Sequence, residues 1–121
     1  MLFVSLEDIQ KIGCDNAILV AYIRDYVHGQ ANYYKQFLIM NDTKLLKEFY
    51  SEATEDDLAQ MEEFRRGGDW TVLTHEQVKD DIGMTTTRQV KYFKELVKHG
   101  YIETKRKGVP GRRWVRLCND R

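Results

Sequence analysis

No stretch of the chain stays apolar for anything near the ~20 residues a membrane-spanning helix requires, which excludes that class of protein. With a single proline and no segment recurring at a fixed period, the chain is neither low-complexity nor a repeat array. Residues 1–8 lack both the basic start and the long apolar core of a secretory signal. The expectation is a cytoplasmic protein with no membrane partner. The two cysteines, Cys14 and Cys118, suit that compartment as free thiols, and a bridge between them would require the chain ends to meet.

Catalytic signatures are also missing. His28, His75 and His99 are scattered, with no cysteine at ligand spacing, so no metal site is expected. There is no phosphate-cradling glycine loop, no Gly-x-Ser-x-Gly elbow and no marked Cys/His pair. The acidic pairs Asp56-Asp57 and Asp80-Asp81 are adjacent in sequence, so on a helix their side chains diverge and make poor paired carboxylates. The sequence points to no enzyme and no cofactor.

Net charge is absent too, with 19 basic residues against 19 acidic ones, but the distribution is lopsided. Residues 1–69 hold 7 lysines and arginines against 13 acids; residues 70–121 hold 12 against 6, and beyond Met84 the count is 11 against 3. Such asymmetry suggests a basic working surface carried on an acidic support, although segregation on solvated faces would look the same.

What is present is a dense run of helix and strand signals. Residues 2–4 suit a short strand or packed arm. Asp15 or Asn16 caps a helix over 16–28, whose apolar positions Ala17, Ile18, Leu19, Ala21, Tyr22, Ile23, Tyr26 and Val27 predict burial on more than one side, with Gly29 as its stop. One or two helices follow in 30–52, with stripes at Tyr34, Phe37, Leu38 and at Leu45, Leu46, Phe49, Tyr50, parted by Asn41-Asp42-Thr43. Thr54 and the acids after it open a helix over 54–66 with a thin stripe at Leu58, Met61 and Phe64, and Gly67-Gly68-Asp69 ends it.

From Trp70 the pattern tightens. Residues 70–73 form a short strand, and Thr74-His75-Glu76-Gln77 is a capping box opening a helix to about Ile82, with Val78 and Ile82 inward. Gly83 turns the chain, and Thr85 caps a second helix with a buried stripe of Val90, Phe93, Leu96 and Val97, closed by His99-Gly100. Strands over 101–106 and 112–117 follow, joined by a loop in which Pro110-Gly111 suits the centre of a type II turn. Strand, helix, turn, helix and basic hairpin within ~50 residues match few folds besides the winged helix.

The fold class expected is therefore mainly α (α+β), a winged helix-turn-helix with a C-terminal hairpin wing and extra N-terminal and middle helices. It forms one domain: 1–29 as arm and first helix, 30–69 as an acidic helical insertion, and 70–121 as helix-turn-helix plus wing.

In such a domain the second helix presents its N-terminal residues to base edges in the major groove. Here these are Thr85, Thr86, Thr87, Arg88, Gln89, Lys91 and Tyr92. Arginine can bond guanine, glutamine adenine, and threonine either a polar edge or a methyl. An ordinary solvated face is the alternative, though three consecutive threonines are poor helix filler. The wing carries Lys105, Arg106, Lys107, Arg112, Arg113 and Arg116, cations suited to phosphates. Charge on a hairpin edge also deters aggregation, but one or two residues suffice for that. Trp70 and Trp114 suit packing better than base stacking.

The stretch W-T-V-L-T-H-E-Q-V-K-D-D-I-G-M-T-T-T-R-Q-V-K-Y-F-K-E-L-V-K-H-G-Y-I-E, with Trp70, Thr74, Gly83-Met84-Thr85, Leu96, Gly100, Tyr101 and Ile102 at its marker positions, resembles winged-helix domains of bacterial phage and plasmid proteins. The run I-G-C-D-N-A-I-L-V-A-Y-I is similar to the first helix of those domains. The resemblance implies duplex DNA as partner and a role in replication, partition or transcription control. A homodimer is expected, since one winged helix covers one half-site, with the first helix and the run Tyr33-Tyr34-x-x-Phe37 as either dimer surface or core. A chain ending at 119–121, directly after the last strand, suits a cut at a domain edge. The competing function is a protein-interaction module whose acidic residues 30–69 bind a replication or host protein. The two differ in whether the acidic helix covers the second helix of the pair.

Overall fold

A computed structural model describes residues 2–108 and 111–118. It is mainly helical, with six helices and a three-stranded antiparallel sheet among the described residues. The expected Pro110-Gly111 turn and the 119–121 ending lie wholly or partly outside the described residues.

Residues 2–4 form no strand. They lead into a short helix that the residue pattern did not predict, α1 (Leu6–Ile12), whose Ser5 hydroxyl accepts from the Asp8 amide at 3.0 Å. Its local marks are the Ser5-x-x-Asp8 cap, the Glu7–Lys11 pair one turn apart and the closing Gly13. Gly13, at φ 85°, then turns the chain into α2 (Cys14–Ile39).

α2 runs straight through the stop expected at Gly29. A mid-helix glycine costs about 1 kcal/mol, whereas burying one large apolar side chain returns roughly 1.5–3 kcal/mol. Beyond Gly29, Ala31, Tyr34 and Phe37 all pack on a common cluster, so continuation wins. At 26 residues the helix is about 39 Å long at 1.5 Å per residue, and it spans two cores. Its N-terminal half places Leu19, Val20, Tyr22, Ile23 and Val27 against Leu73, Val78, Met84, Phe93, Leu96, Tyr101, Ile102 and Val115. The unbroken buried run from Leu19 to Ile23 is the many-sided burial its composition predicts. Its C-terminal half joins α3 (Thr43–Glu52) and α4 (Glu55–Arg65) around Tyr34, Phe49, Met61 and Phe64. Most of the Tyr33-Tyr34-x-x-Phe37 run is thus intramolecular core: Phe37 stacks on Phe49 at 4.3 Å, and only Tyr33 is exposed.

Both middle helices start where their caps predict. Asp42 accepts from the amides of Lys44 and Leu45, and Thr54 and Asp57 form a reciprocal capping box. The α4 stripe differs from expectation, because Leu58 is exposed while Gln60 and Glu63 are buried. Gln60 is inside because it serves the sheet edge. Its amide donates to the Trp70 carbonyl at 2.7 Å and accepts from the Val72 amide at 2.9 Å, completing the backbone pairing of β1 (Thr71–Val72).

The sheet order is β1-β3-β2, with β2 (Ile102–Lys107) and β3 (Arg112–Leu117) paired in the register Ile102↔Leu117 to Lys107↔Arg112. Between β1 and β2 lie α5 (His75–Ile82) and α6 (Thr86–Lys98). Thr74 caps α5, accepting from the Gln77 amide at 3.2 Å, but the return arm of the expected capping box is not made: the Gln77 side chain donates to Asp81 instead. Gly83, left-handed at φ 70°, and buried Met84 link the two helices.

Candidate nucleic-acid interface

At about 100° per residue, α6 has four faces. Its inner face is Gln89, Phe93 and Leu96, all buried. The expected stripe is corrected here: Val90 and Val97 are 43% and 42% exposed and lie, with Thr86, along one flank. The opposite flank, Arg88, Tyr92 and Glu95, meets the start of α2. Arg88 pairs with Asp15 at 3.4 Å and lies over the Tyr92 ring, the Tyr92 hydroxyl donates to Asp15 at 2.8 Å, and Asn16 donates to Glu95 at 3.0 Å. The outer face carries Thr87, Lys91, Lys94 and Lys98, all exposed. Among the described residues these three lysines form no ion pair; Lys91 lies over the Tyr92 ring at 5.5 Å.

The sequence-predicted residues of this helix therefore divide. Thr86, Thr87 and Lys91 stand in solvent, as does Thr85, whose hydroxyl also caps the helix. Arg88 and Tyr92 are reachable but held by Asp15. Gln89 leaves the set altogether. It is 0% exposed, donates to the carbonyls of His75 and Met84 at 2.9 Å each, and accepts from Arg113 at 3.0 Å. Lys94 and Lys98 join the set without having been expected in it, although their spacing from Thr87 and Lys91 (positions i, i+4, i+7, i+11) marks one helical face.

The hairpin divides by strand alternation. Ile102, Thr104 and Arg106 share a face with Arg113, Val115 and Leu117; Glu103, Lys105 and Lys107 share the other with Arg112, Trp114 and Arg116. All six predicted cations have a partner within the protein, Lys107 lying over the Trp114 ring at 5.4 Å, and they differ in how far they stay exposed. Arg113 is buried, donating to the Leu73 carbonyl at 2.9 Å and lying 3.8 Å from the Phe93 ring centre, and so is no surface contact. Arg112 pairs with Asp56 of α4 at 3.2 Å. Arg116 pairs with Glu103 and Asp69 and, with Lys105, lies over the Trp70 ring. Both tryptophans have packing roles, Trp114 being buried. Lys107 and Arg106 are exposed, with Arg106 touching His75 at 3.3 Å. The acidic helix α4 packs on α2 and β1, and its Asp56 reaches the hairpin.

Burial and the charges of Arg113 and Arg106 hold the His75 imidazole below its ordinary pKa, favouring the neutral ring. Burial, reinforced by Arg106, pushes Arg113 down to about 10, so it stays charged at neutral pH. No group of three or more metal-ligating side chains occurs among the described residues, and none of their helices is long and apolar enough to cross a membrane. The arrangement can offer a row of exposed ammonium groups, the hydroxyls of Thr86 and Thr87, and the exposed hairpin cations Arg106 and Lys107 to an anionic surface. No family model matches the chain, and neither a curated protein nor a solved structure matches it.

Proposed function

We propose that the chain is a winged helix-turn-helix protein that binds double-stranded DNA sequence-specifically, as a regulator of replication, partition or transcription in a bacterium, phage or plasmid. The observation that carries the reading is the outer face of α6, where Thr87, Lys91, Lys94 and Lys98 stand exposed and, among the described residues, free of ion pairs, on the second helix of a pair followed by a basic hairpin. In this reading Thr86 and Thr87 meet base edges, Arg88 reads guanine once released from Asp15, and Lys91, Lys94, Lys98, Arg106 and Lys107 meet phosphates. A homodimer would place two such helices on successive half-sites, and exposed Leu38, Ile39 and Leu45 at the α2–α3 end supply apolar surface for the partner. The same surface would serve the alternative, a protein partner recruited through residues 30–69.

Fluorescence anisotropy with a pool of random duplexes across ~50–200 mM salt tests the reading. Binding should weaken steeply with salt. The triple change Lys91→Ala/Lys94→Ala/Lys98→Ala should lower affinity on every sequence and flatten the salt slope by about 1 for each phosphate left without its cation. Arg88→Ala should chiefly erase preference among selected sites. A folded protein that binds no duplex at ~50 mM salt would refute the reading and turn attention to a protein partner.

A further inference from the structure

Where the N-terminus of α5 meets the hairpin there is an open cleft of about 400 Å³, lined by Thr74, His75, Glu76, Arg106 and Arg113, and bordered by Arg112, from the opposite sheet face, together with its partner Asp56 of α4. Three guanidiniums and an imidazole face two carboxylates, and the hydrogen-bond chemistry is short of acceptors. Each ring nitrogen of His75 meets a guanidinium nitrogen at 3.3 Å, Nε2 with Arg106 and Nδ1 with Arg113. A neutral imidazole has one N–H and one lone pair, so only one of these contacts can be a hydrogen bond and the other sets donor against donor. Arg113 adds to the excess. It is 6% exposed, yet none of the ion pairs among the described residues includes it; its partners are the Leu73 carbonyl, the Gln89 carbonyl oxygen, His75 and the Phe93 ring. A charge removed from water without a counter-ion is costly, and a nearby anion relieves that cost.

The amides of the first α5 turn lie at the same place. Thr74 caps one of them, that of Gln77, and the positive end of the helix dipole adds to the field. A phosphoryl group has the missing features: negative charge and three or four acceptor oxygens arranged for guanidinium forks.

We propose that this cleft seats one phosphoryl group, held by Arg106, Arg112 and His75 over the buried charge of Arg113, with Asp56 acting as the resident counter-ion of Arg112 that the phosphoryl group displaces. The proposal rests on the duplex reading for its source of phosphate, a DNA backbone group, while the chemistry would accept free phosphate as well. The acidic insertion thereby gains a role, since Asp56 sets the affinity of the cleft by competing for Arg112.

Protonation is linked to occupancy. The charged groups around the His75 ring are Arg106 on β2, Arg113 on β3, Glu76 on α5 and Asp56 on α4, and Gln89 on α6 is the neutral polar neighbour. An anion between the guanidiniums offsets the repulsion that keeps the ring neutral, so occupancy raises the His75 pKa, and lower pH strengthens binding.

The test is NMR of the full chain with histidine-labelled imidazoles, the His75 signals assigned with His75→Asn. Sulfate and inorganic phosphate are one set of probes and a short duplex the other; sulfate does not titrate in the range used. Sulfate and phosphate should each move the His75 signals saturably and raise its pKa, and the duplex should do the same at far lower concentration. Asp56→Asn should tighten sulfate and duplex binding several-fold, a gain that loss of a merely structural ion pair would not produce. Arg106→Gln should weaken both by about tenfold. Duplex binding with an unmoved His75 and wild-type affinity in both variants would overturn the phosphoryl seat and leave the duplex reading standing. Saturable sulfate and phosphate binding at His75 by a protein that ignores duplex would uphold the seat and overturn the duplex reading. Silence to all three probes would overturn both.

Discussion

Replacing Gln89 distinguishes a core residue from a reader of bases, because the two roles predict opposite consequences. As a solvent-facing reader, Gln89→Ala would cost well under 1 kcal/mol of stability. In the structure the side chain is fully buried and serves three groups: the Met84 carbonyl and the Arg113 guanidinium inside the protein, and the His75 carbonyl in a partly buried site. Alanine leaves all three without that partner. An unsatisfied buried group costs roughly 1–3 kcal/mol, so the two interior groups alone give about 4 kcal/mol. Set against a typical total of about 5–15 kcal/mol, that is a large fraction. With a urea m-value of about 2 kcal/mol/M, the unfolding midpoint should fall by roughly 2 M. Urea titration followed by far-UV circular dichroism measures this directly, with Thr87→Ala as the exposed control on the same helix. A Gln89→Ala midpoint within about 0.5 M of wild type would refute the burial argument and restore the residue as a candidate base contact.

Three further outcomes are expected. Gly83→Ala should lose about 1–2 kcal/mol, because a β-carbon there meets no neighbouring atom within 4 Å and the whole penalty is the left-handed backbone at φ 70°; thermal melts check it. Asp15→Asn should leave stability within about 1 kcal/mol, the Arg88 pair being half-exposed, yet tighten duplex binding by releasing Arg88 and removing a carboxylate from the interface, as read by anisotropy. His75 should make stability fall with acidity. Its folded pKa lies below the unfolded value near 6.5, so the unfolded chain binds more protons in between; the contribution of the neutral ring is complete above pH 6.5 and is lost as pH drops toward the folded pKa. Urea titrations at neutral and mildly acidic pH should show that loss in the wild type and a smaller one in His75→Asn.

Local signals settled a great deal about this protein. Thr54, Thr74, Thr85 and Asp42 each begin a helix because a short side-chain oxygen can satisfy a first-turn amide without help from elsewhere. Gly83 and Gly100 turn where the backbone needs positive φ, and the alternating β2 and β3 residues pair in one antiparallel ladder. These features depend on neighbours within a few residues, so they can be read without knowing the fold, and the charge imbalance between halves is a matter of counting.

Tertiary packing decided the rest. Whether Gly29 ends a helix depends on whether Tyr34 and Phe37 find Phe49 and Phe64, which lie one and two helices further along the chain. Gln60, Gln89 and Arg113 are polar in any pattern analysis, yet each is buried because distant backbone groups and side chains supply its hydrogen bonds. For the same reason Val90 and Val97 are displaced from the core, and the basic residues of the hairpin separate into those bound to Asp56, Asp69 and Glu103 and those left facing solvent. Residue type establishes which side chains can carry charge or donate a hydrogen bond. Which of them remain available for a ligand is determined by the partners that folding brings within 3–4 Å, and a one-dimensional pattern does not contain those distances.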